Sequence, residues 1–391
     1  MSKETHEVNF NRLPVGPLGI IPLPGCEELC RKVDEYLVQW RHESENEYKK
    51  TAVFAGYEKD TFIIDTSVPR FGSGEAKGMI QSSVRGDDIY LLVDVCNNSL
   101  TYQIHDKINH MSPDDHFQNT KRLVAAISGK ARRITVIMPF LYESRQLTRK
   151  GRESLDCAHA LRELVDMGVN HIVTFDAHDP RVQNAIPLTG FDNVMPTYQF
   201  IKNLLRVDKE LIIDSEHMMI VSTDEGAMER AVYYANVMGL DVGMFYKRRD
   251  YTRLVQGVNP VLKYEFLGAS VEGKTVLIVD DMISSGDSIL GVARELKKHK
   301  AKKIIACVTF GLFTGGFKKF DSAFEEGIID RLLTTNLVYQ PQELLQRSYY
   351  TSVDLSKYIA LLVDSFNHDA SIQELLNPID RIHRVLKNYR G

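Results

Sequence analysis

No apolar run in the chain approaches eighteen uninterrupted residues, so a membrane-spanning helix is not expected. Its first residues, MSKETHEVNFNRLP, lack a basic stretch followed by an apolar core, so no secretory leader is expected either. Cysteine is scarce. Cys26, Cys30, Cys96, Cys157 and Cys307 form an odd set without paired metal-ligand spacing, and reduced thiols in the cytoplasm are the simplest reading. Neither sign of charge prevails: 48 Lys and Arg against 52 Asp and Glu leave a formal net charge of −4. Neither nucleic acid nor an anionic membrane is therefore expected as the main partner. The basic segment RELKKHKAKK (294–303) closes an expected helix, where cations complement the helix dipole on a solvated face. Low-complexity linkers are also missing, so no compositional break marks a domain boundary.

What the chain does have is length and a recurring pattern. Its 391 residues suffice for two or three domains with substantial cores. Short runs rich in Val and Ile recur at 87–95, 133–140, 171–178, 218–226, 241–249, 275–281 and 303–311. Their hydrophobicity is continuous rather than alternating, the pattern of strands covered on both faces. Between them lie segments of helical spacing. Ile289, Val292, Ala293 and Leu296 share one stripe, as do Leu155, Ala158, Leu161, Leu164 and Val165, with Gly168 as a stop. The alternation predicts an α/β protein with two mostly parallel sheets flanked by helices. We expect a first domain over 1–194 and a second over 195–391, with a C-terminal tail free to pack back on the first. Polar segments near 39–62 and 97–120 read as insertions.

Residues 268–275, GASVEGKT, satisfy the spacing of a phosphate-binding P-loop. That motif works only where the loop follows a strand and its Lys and Thr open a helix. Here Lys274 and Thr275 lead straight into the strand TVLIVDD, so a turn is expected.

A different stretch has the right order. VLIVDDMISSGDSIL (276–290) joins a buried strand to two carboxylates, then to a Ser/Gly loop and a new helix. Paired carboxylates attract metal ions and sugar hydroxyls, and a Ser/Gly loop at a helix start attracts phosphate. An acidic but ordinary strand-to-helix turn is the alternative. Other unusual polar residues also fall at expected strand ends: Asp176 with His178, Asp224 with Glu225, and Lys247 to Arg249. In open parallel sheets ligands collect at such ends.

Strand, DDMI and Ser/Gly loop together resemble the signature of the type I phosphoribosyltransferase fold. With five other regions the chain resembles the ribose-phosphate pyrophosphokinases, also called phosphoribosyl pyrophosphate synthetases. RFGSGEAKGMIQSSVRGDDIYLLVD (70–94) is similar to that family's Phe-x-Asp-Gly-Glu and Ser-Val-Arg-Gly region, and PFLYESRQLTRK (139–150) to its Arg-Gln-Asp-Arg segment. FDAHD (175–179) resembles its metal motif, VSTDEGAMERA (221–231) its Ser-Pro-Asp loop, and YKRR (246–249) its catalytic flap. The matches run in the family's order across most of residues 65–340.

The resemblance implies two type I phosphoribosyltransferase-like domains and transfer of the diphosphoryl group of ATP to the C1 hydroxyl of ribose 5-phosphate. The products are phosphoribosyl pyrophosphate and AMP. It implies Mg²⁺ as cofactor and a dimer-based homo-oligomer, usually a hexamer in the family. By the same resemblance Lys247 and Arg249 close over the transferring group, and Arg145 and Gln146 contact ATP. Phe71 and Glu75 reach the adenine from a neighbouring subunit. His178 and Asp224 bind the metal. Asp280 and Asp281 hold the ribose hydroxyls, and Ser284, Ser285, Gly286, Asp287 and Ser288 form the 5-phosphate loop. Taken singly, these residues also have plainer readings: a structural histidine, a surface charge cluster, a helix-entry acid pair, a core phenylalanine.

Departures from the family pattern cluster at the ATP contacts and the sugar-phosphate loop. Ser284 stands where the family has aspartate and Asp287 where it has glycine. Ser73 replaces an aspartate, Leu147 and Thr148 replace Asp-Arg, and Ala227 stands for a glycine. A divergent synthetase is the expectation. A non-catalytic regulatory paralogue that assembles with an active synthetase is the main alternative, and a phosphoribosyltransferase is a lesser one.

Overall fold

The protein is described from a computed structural model over residues 12–43, 56–146, 149, 151–249 and 261–390, excluding the side chains at 247–249, 261–264 and 390. The chain divides into two compact units. The first takes the described residues up to Met195 together with Leu337–Tyr339 and Asp354–Asn377; the second takes Pro196–Asn336, Gln340–Val353 and the chain from Pro378.

The first unit contains β1 (Leu18–Pro22), α1 (Glu27–Glu43), the short strands β2 (Thr66–Ser67) and β3 (Met79–Ile80), and β4 (Asp88–Leu92). The hairpin β5 (Thr101–Ile104) and β6 (Lys107–His110) follows, then α2 (Pro113–Ile127), β7 (Arg133–Ile137), α3 (Asp156–Asp166), β8 (His171–Phe175) and β9 (Gly190–Val194). Strands β1, β4, β7, β8 and β9 pair in that order, all parallel. The central strands are buried along nearly their whole length, as continuous apolar runs require. Helix α2 starts at a capping box in which Ser112 and Asp115 satisfy each other's backbone N–H groups. Helix α3 ends at Asp166, and Gly168 follows in the left-handed region at φ 95°.

The second unit begins with α4 (Thr197–Val207), β10 (Met218–Ser222), α5 (Met228–Met238), β11 (Asp241–Arg249) and β12 (Val261–Leu267). It continues with β13 (Thr275–Ile283), α6 (Asp287–Lys298), β14 (Lys303–Gly311), α7 (Lys318–Glu325), β15 (Arg331–Thr335), α8 (Gln342–Leu345) and β16 (Tyr350–Val353). The sheet order is β12-β11-β10-β13-β14-β15-β16, parallel except for the β11–β12 ribbon. All four expected stripe residues of α6, Ile289, Val292, Ala293 and Leu296, are buried.

The last helices are α9 (Ser356–Asn367) and α10 (Gln373–Leu376) in the first unit and α11 (Ile379–Arg390) in the second. Helix α9 packs on α1, where the buried Arg41 guanidinium reaches Asp364 at 3.3 Å and donates to Asn367 at 2.8 Å. Asn367 also donates to Asp88 Oδ2 at 2.8 Å, and Asp88 receives two further bonds from Arg133. Asp364 and Asp88 are thus each paired with a cation, as a buried carboxylate demands.

GASVEGKT is a turn, as expected. Lys274 N–H donates to Val271 O at 3.0 Å, its ammonium donates to Ser215 O, and Thr275 already belongs to β13. Its backbone is committed to the turn and the sheet.

Candidate active site

In the second unit the order of the sheet reverses at β10: the chain lays β11 on one side of it and returns to lay β13 on the other. Such a switch point leaves a crevice beyond the strand ends. Thr223, just past β10, donates its hydroxyl to Asp280 Oδ2 at 2.7 Å, joining the two strands there. The other oxygen of Asp280 accepts the Asp281 N–H at 2.9 Å, and Asp281 is buried. Burial, then the adjacent Asp281 charge, pushes the Asp280 carboxyl up to about 7, while Thr223 and Arg230 pull the other way. Two carboxylates so placed do not carry two full charges comfortably. A hard divalent cation, or donating sugar hydroxyls, would relieve the repulsion, and an all-oxygen donor pair is what Mg²⁺ prefers. Among the described residues no three His, Cys, Asp or Glu side chains converge on a common point. Mg²⁺ commonly completes its shell with water and substrate oxygens.

From Ile283 the chain turns through Ser284, Ser285 and Gly286 into α6. Gly286 has φ 85°, a conformation that glycine adopts without strain. Ser284 O accepts the Thr314 N–H at 3.0 Å, and the two hydroxyls lie 3.2 Å apart. Ser285 donates its hydroxyl to Asp287 Oδ2 at 2.9 Å, while Lys319 donates to Asp287 Oδ1 at 2.6 Å. That lysine holds the Asp287 carboxyl below its usual range. Ser288 is exposed in the first turn of α6. The structure thus brings Asp280, Asp281 and residues 284–288 into one strand–loop–helix connection, whose helix start can present N–H groups to an anion.

Asp224 lies two residues beyond β10, where its Oδ1 accepts the Gly226 N–H at 3.1 Å and its carbonyl accepts the Ser222 hydroxyl. Lys247 and Arg249 lie in the β11–β12 ribbon, whose register shifts between Arg248 and Arg249. Their side chains, and residues 250–260 that follow the expected flap, lie outside the described residues.

In the first unit Phe71 is 54% exposed at the head of a tight turn. Its N–H donates to Glu75 O at 2.7 Å and its carbonyl accepts Gly74 N–H at 2.8 Å. Ser73 donates its hydroxyl to Glu75 Oε2 at 2.8 Å, so the serine that replaces an aspartate removes a like charge from beside Glu75. Arg70 fixes the turn from outside, donating to Gly74 O and to Asp115 while lying over the Tyr102 ring. Arg145 and Gln146 are exposed in a turn beyond β7. Leu147 and Thr148 lie outside the described residues. His178 is exposed just past the end of β8, following Asp176, which is buried at φ 41°.

Sequence reasoning missed Lys319, Thr223, Thr314 and Arg70. None stands in a motif that signals its contact, although TGG (314–316) marks a turn facing the loop.

A family model described as the N-terminal domain of ribose phosphate pyrophosphokinase matches residues 18–168, and one described as the phosphoribosyl transferase domain matches 199–323. A ribose-phosphate pyrophosphokinase of Mycoplasma genitalium is 28% identical over 69% of this chain and 74% of its own. Ribose-phosphate pyrophosphokinase 2 of Schizosaccharomyces pombe is 27% identical over 80% of this chain and 89% of its own. The fold is that of the phosphoribosylpyrophosphate synthetase structure from Mycobacterium smegmatis, with a TM-score of 0.71, 20% identity, and coverage of 90% of this chain and 99% of that one. With both parts of its length matched in order, the chain belongs to the ribose-phosphate pyrophosphokinase family, and its two parallel sheets are phosphoribosyltransferase-like domains.

Proposed function

We propose that this chain is a ribose-phosphate diphosphokinase, producing phosphoribosyl pyrophosphate and AMP from ATP and ribose 5-phosphate. The observation that carries the reading is the β13–α6 connection. An acid pair at a switch point, Asp281 buried and Asp280 partly so, leads through a short loop into a glycine-capped helix, inside the segment matched as a phosphoribosyl transferase domain. Acids suited to sugar hydroxyls and a helix start suited to a phosphate monoester stand at the two ends of one short loop.

In this reading Asp280 and Asp281 accept hydrogen bonds from the ribose hydroxyls and fix the ring. Residues 284–288 hold the 5-phosphate. The C1 oxygen forms a bond to the β-phosphorus of ATP, the bond from that phosphorus to the α,β-bridging oxygen breaks, and AMP departs with the electron pair. The hydroxyl proton passes to solvent. Catalysis of this kind is mainly positioning and neutralisation of phosphate charge. Lys247 and Arg249 supply cationic donors. Phe71, Glu75, Arg145 and Gln146 contact ATP, and Phe71 and Glu75 do so across a homo-oligomeric contact. Asp224 and, in the first unit, His178 would each offer a donor to Mg²⁺, which would neutralise phosphate charge. A cytoplasmic location goes with this reading; among the described residues no helix is long and apolar enough to cross a membrane.

Purified protein supplied with Mg²⁺, ATP and ribose 5-phosphate should release AMP, and omitting the sugar should abolish the release. The altered residues Ser73, Leu147, Thr148, Ser284 and Asp287 favour one competing reading, a regulatory paralogue. Absence of sugar-dependent AMP at every phosphate and metal concentration, with retained binding to an active synthetase subunit, would establish that reading instead.

A further inference from the structure

The sugar-phosphate loop carries a carboxylate that a phosphate monoester should repel. Asp287 is the first residue of α6, next to Gly286 and two residues from Ser285. It takes up the Ser285 hydroxyl, one of the few side-chain donors the loop has for a phosphate. Left alone, it would add a negative charge to the anion site and occupy a donor meant for the ligand.

Its other oxygen, however, is bound by Lys319 at 2.6 Å, from the first turn of α7. Lys319 is well placed because its neighbour Phe320 is fully buried beneath the loop, with its ring against Gly286. The same segment braces the loop again through Thr314, which bonds Ser284. Arg294, on α6 itself, is a second cation acting on Asp287. When a phosphate takes the Ser285 hydroxyl, Lys319 still holds Asp287 by the oxygen that serine does not use.

We propose that Lys319 is a positioning residue of the sugar-phosphate loop: it neutralises Asp287 and keeps its carboxylate turned toward α7, so that this loop accepts a phosphate monoester. The inference rests on the proposed function, and it assigns Asp287 and Lys319 to one unit in which the lysine compensates the acid.

The test is calorimetric titration of ribose 5-phosphate into the full chain, comparing wild type with Lys319→Met, Lys319→Arg, Asp287→Asn and the Asp287→Asn/Lys319→Met double variant. Lys319→Met should weaken binding about ten-fold, the order expected for one uncompensated charge near a dianion. The double variant should recover most of that loss, and Lys319→Arg should keep most of the affinity. Thermal midpoints should stay within a few degrees, because the pair is exposed. An unchanged affinity in Lys319→Met overturns the proposal. A double variant as weak as Lys319→Met also overturns it, by showing that the lysine meets the phosphate directly. Failure of the wild type to bind ribose 5-phosphate overturns the functional reading as well, whereas normal wild-type binding with unaffected variants overturns the lysine's role alone.

Discussion

A Cβ at Gly286 would lie 2.5 Å from Cε2 of Phe320, so the residue that caps the start of α6 is held against α7 with no room for a side chain. Phe320 is fully buried in the core between α6, α7 and the sheet, and cannot swing away. Gly286→Ala therefore carries two penalties: a side chain at positive φ and an overpacked ring. Together these should cost about 2–4 kcal/mol of stability. Ribose 5-phosphate binding should fall with it, because the helix start must shift. Urea unfolding of the variant and of Gly286→Ala/Phe320→Leu tests the cause: the smaller side chain should return part of the loss. No recovery would show that ring contact is not the source.

Asp94 provides a pH prediction. Its carboxylate is almost fully buried and accepts backbone N–H groups from Cys96 at 2.9 Å and Tyr339 at 2.7 Å. Burial, only partly offset by those two bonds, pushes its carboxyl up to about 6. A carboxyl raised in the folded state binds protons more tightly there than in the unfolded chain. Its contribution is therefore complete below the unfolded value near 4 and is lost as pH rises through about 6. The stability of wild type relative to Asp94→Asn should fall by about 2 kcal/mol between pH 4 and pH 7. Parallel urea unfolding curves across that range measure it. A pH-independent difference would mean that Asp94 is not raised.

The parallel sheets were legible in the sequence because the central strands are buried on both faces and had to be written as Val/Ile runs. Three edge strands were not: GFDNV of β9 and YTSV of β16 are half polar, and LGIIP of β1, though buried, is a short run broken by glycine and proline. The acid pair and the loop were legible because strand, acids and helix start are consecutive. Their partners were not, because Thr223 lies 57 residues from Asp280, and Lys319 lies 32 from Asp287. Lys319 carries no local mark, and Thr223, although inside VSTDEGAMERA, carries nothing that names Asp280 as its partner. Contacts between distant positions join α9 to the first unit, among them the bond from Asn367 to Asp88, 279 positions apart.

That bond leads to a third prediction. Asp88 is fully buried and is held by Arg133 through two bonds at 2.8 and 2.7 Å, with Asn367 and Tyr90 as further donors. Arg133 also donates to Phe366 O at 2.7 Å, tying the end of α9 to the sheet. Arg133→Met leaves a buried carboxylate without its cation and should cost about 3 kcal/mol. Segment 354–377 should become a site of early proteolysis in the variant. The double variant Asp88→Asn/Arg133→Met should be more stable than Arg133→Met alone, since the uncompensated charge is gone. A loss below about 1 kcal/mol in the single variant would place the pair among ordinary surface bridges.

The last prediction concerns the turn that presents Phe71. Arg70 joins three parts of it: it donates to Gly74 O at 2.9 Å and to Asp115 Oδ1 at 3.0 Å, and its guanidinium lies 3.9 Å from the Tyr102 ring centroid. Gly74 closes the turn against the β5–β6 hairpin, where a Cβ would meet Ile104 at 2.8 Å. Removing the guanidinium should leave Phe71 and Glu75 attached but poorly held, so ATP binding would carry the cost of ordering them. Arg70→Met should raise the KM for ATP about ten-fold and change kcat by no more than about three-fold, a loss of about 1.4 kcal/mol in binding. Arg70→Lys should not restore it, because one ammonium cannot span both acceptors and cover the ring. Steady-state AMP release at saturating ribose 5-phosphate gives both constants. Equal loss of kcat and kcat/KM would assign Arg70 to the reacting groups, and an unchanged KM would detach the turn from the nucleotide.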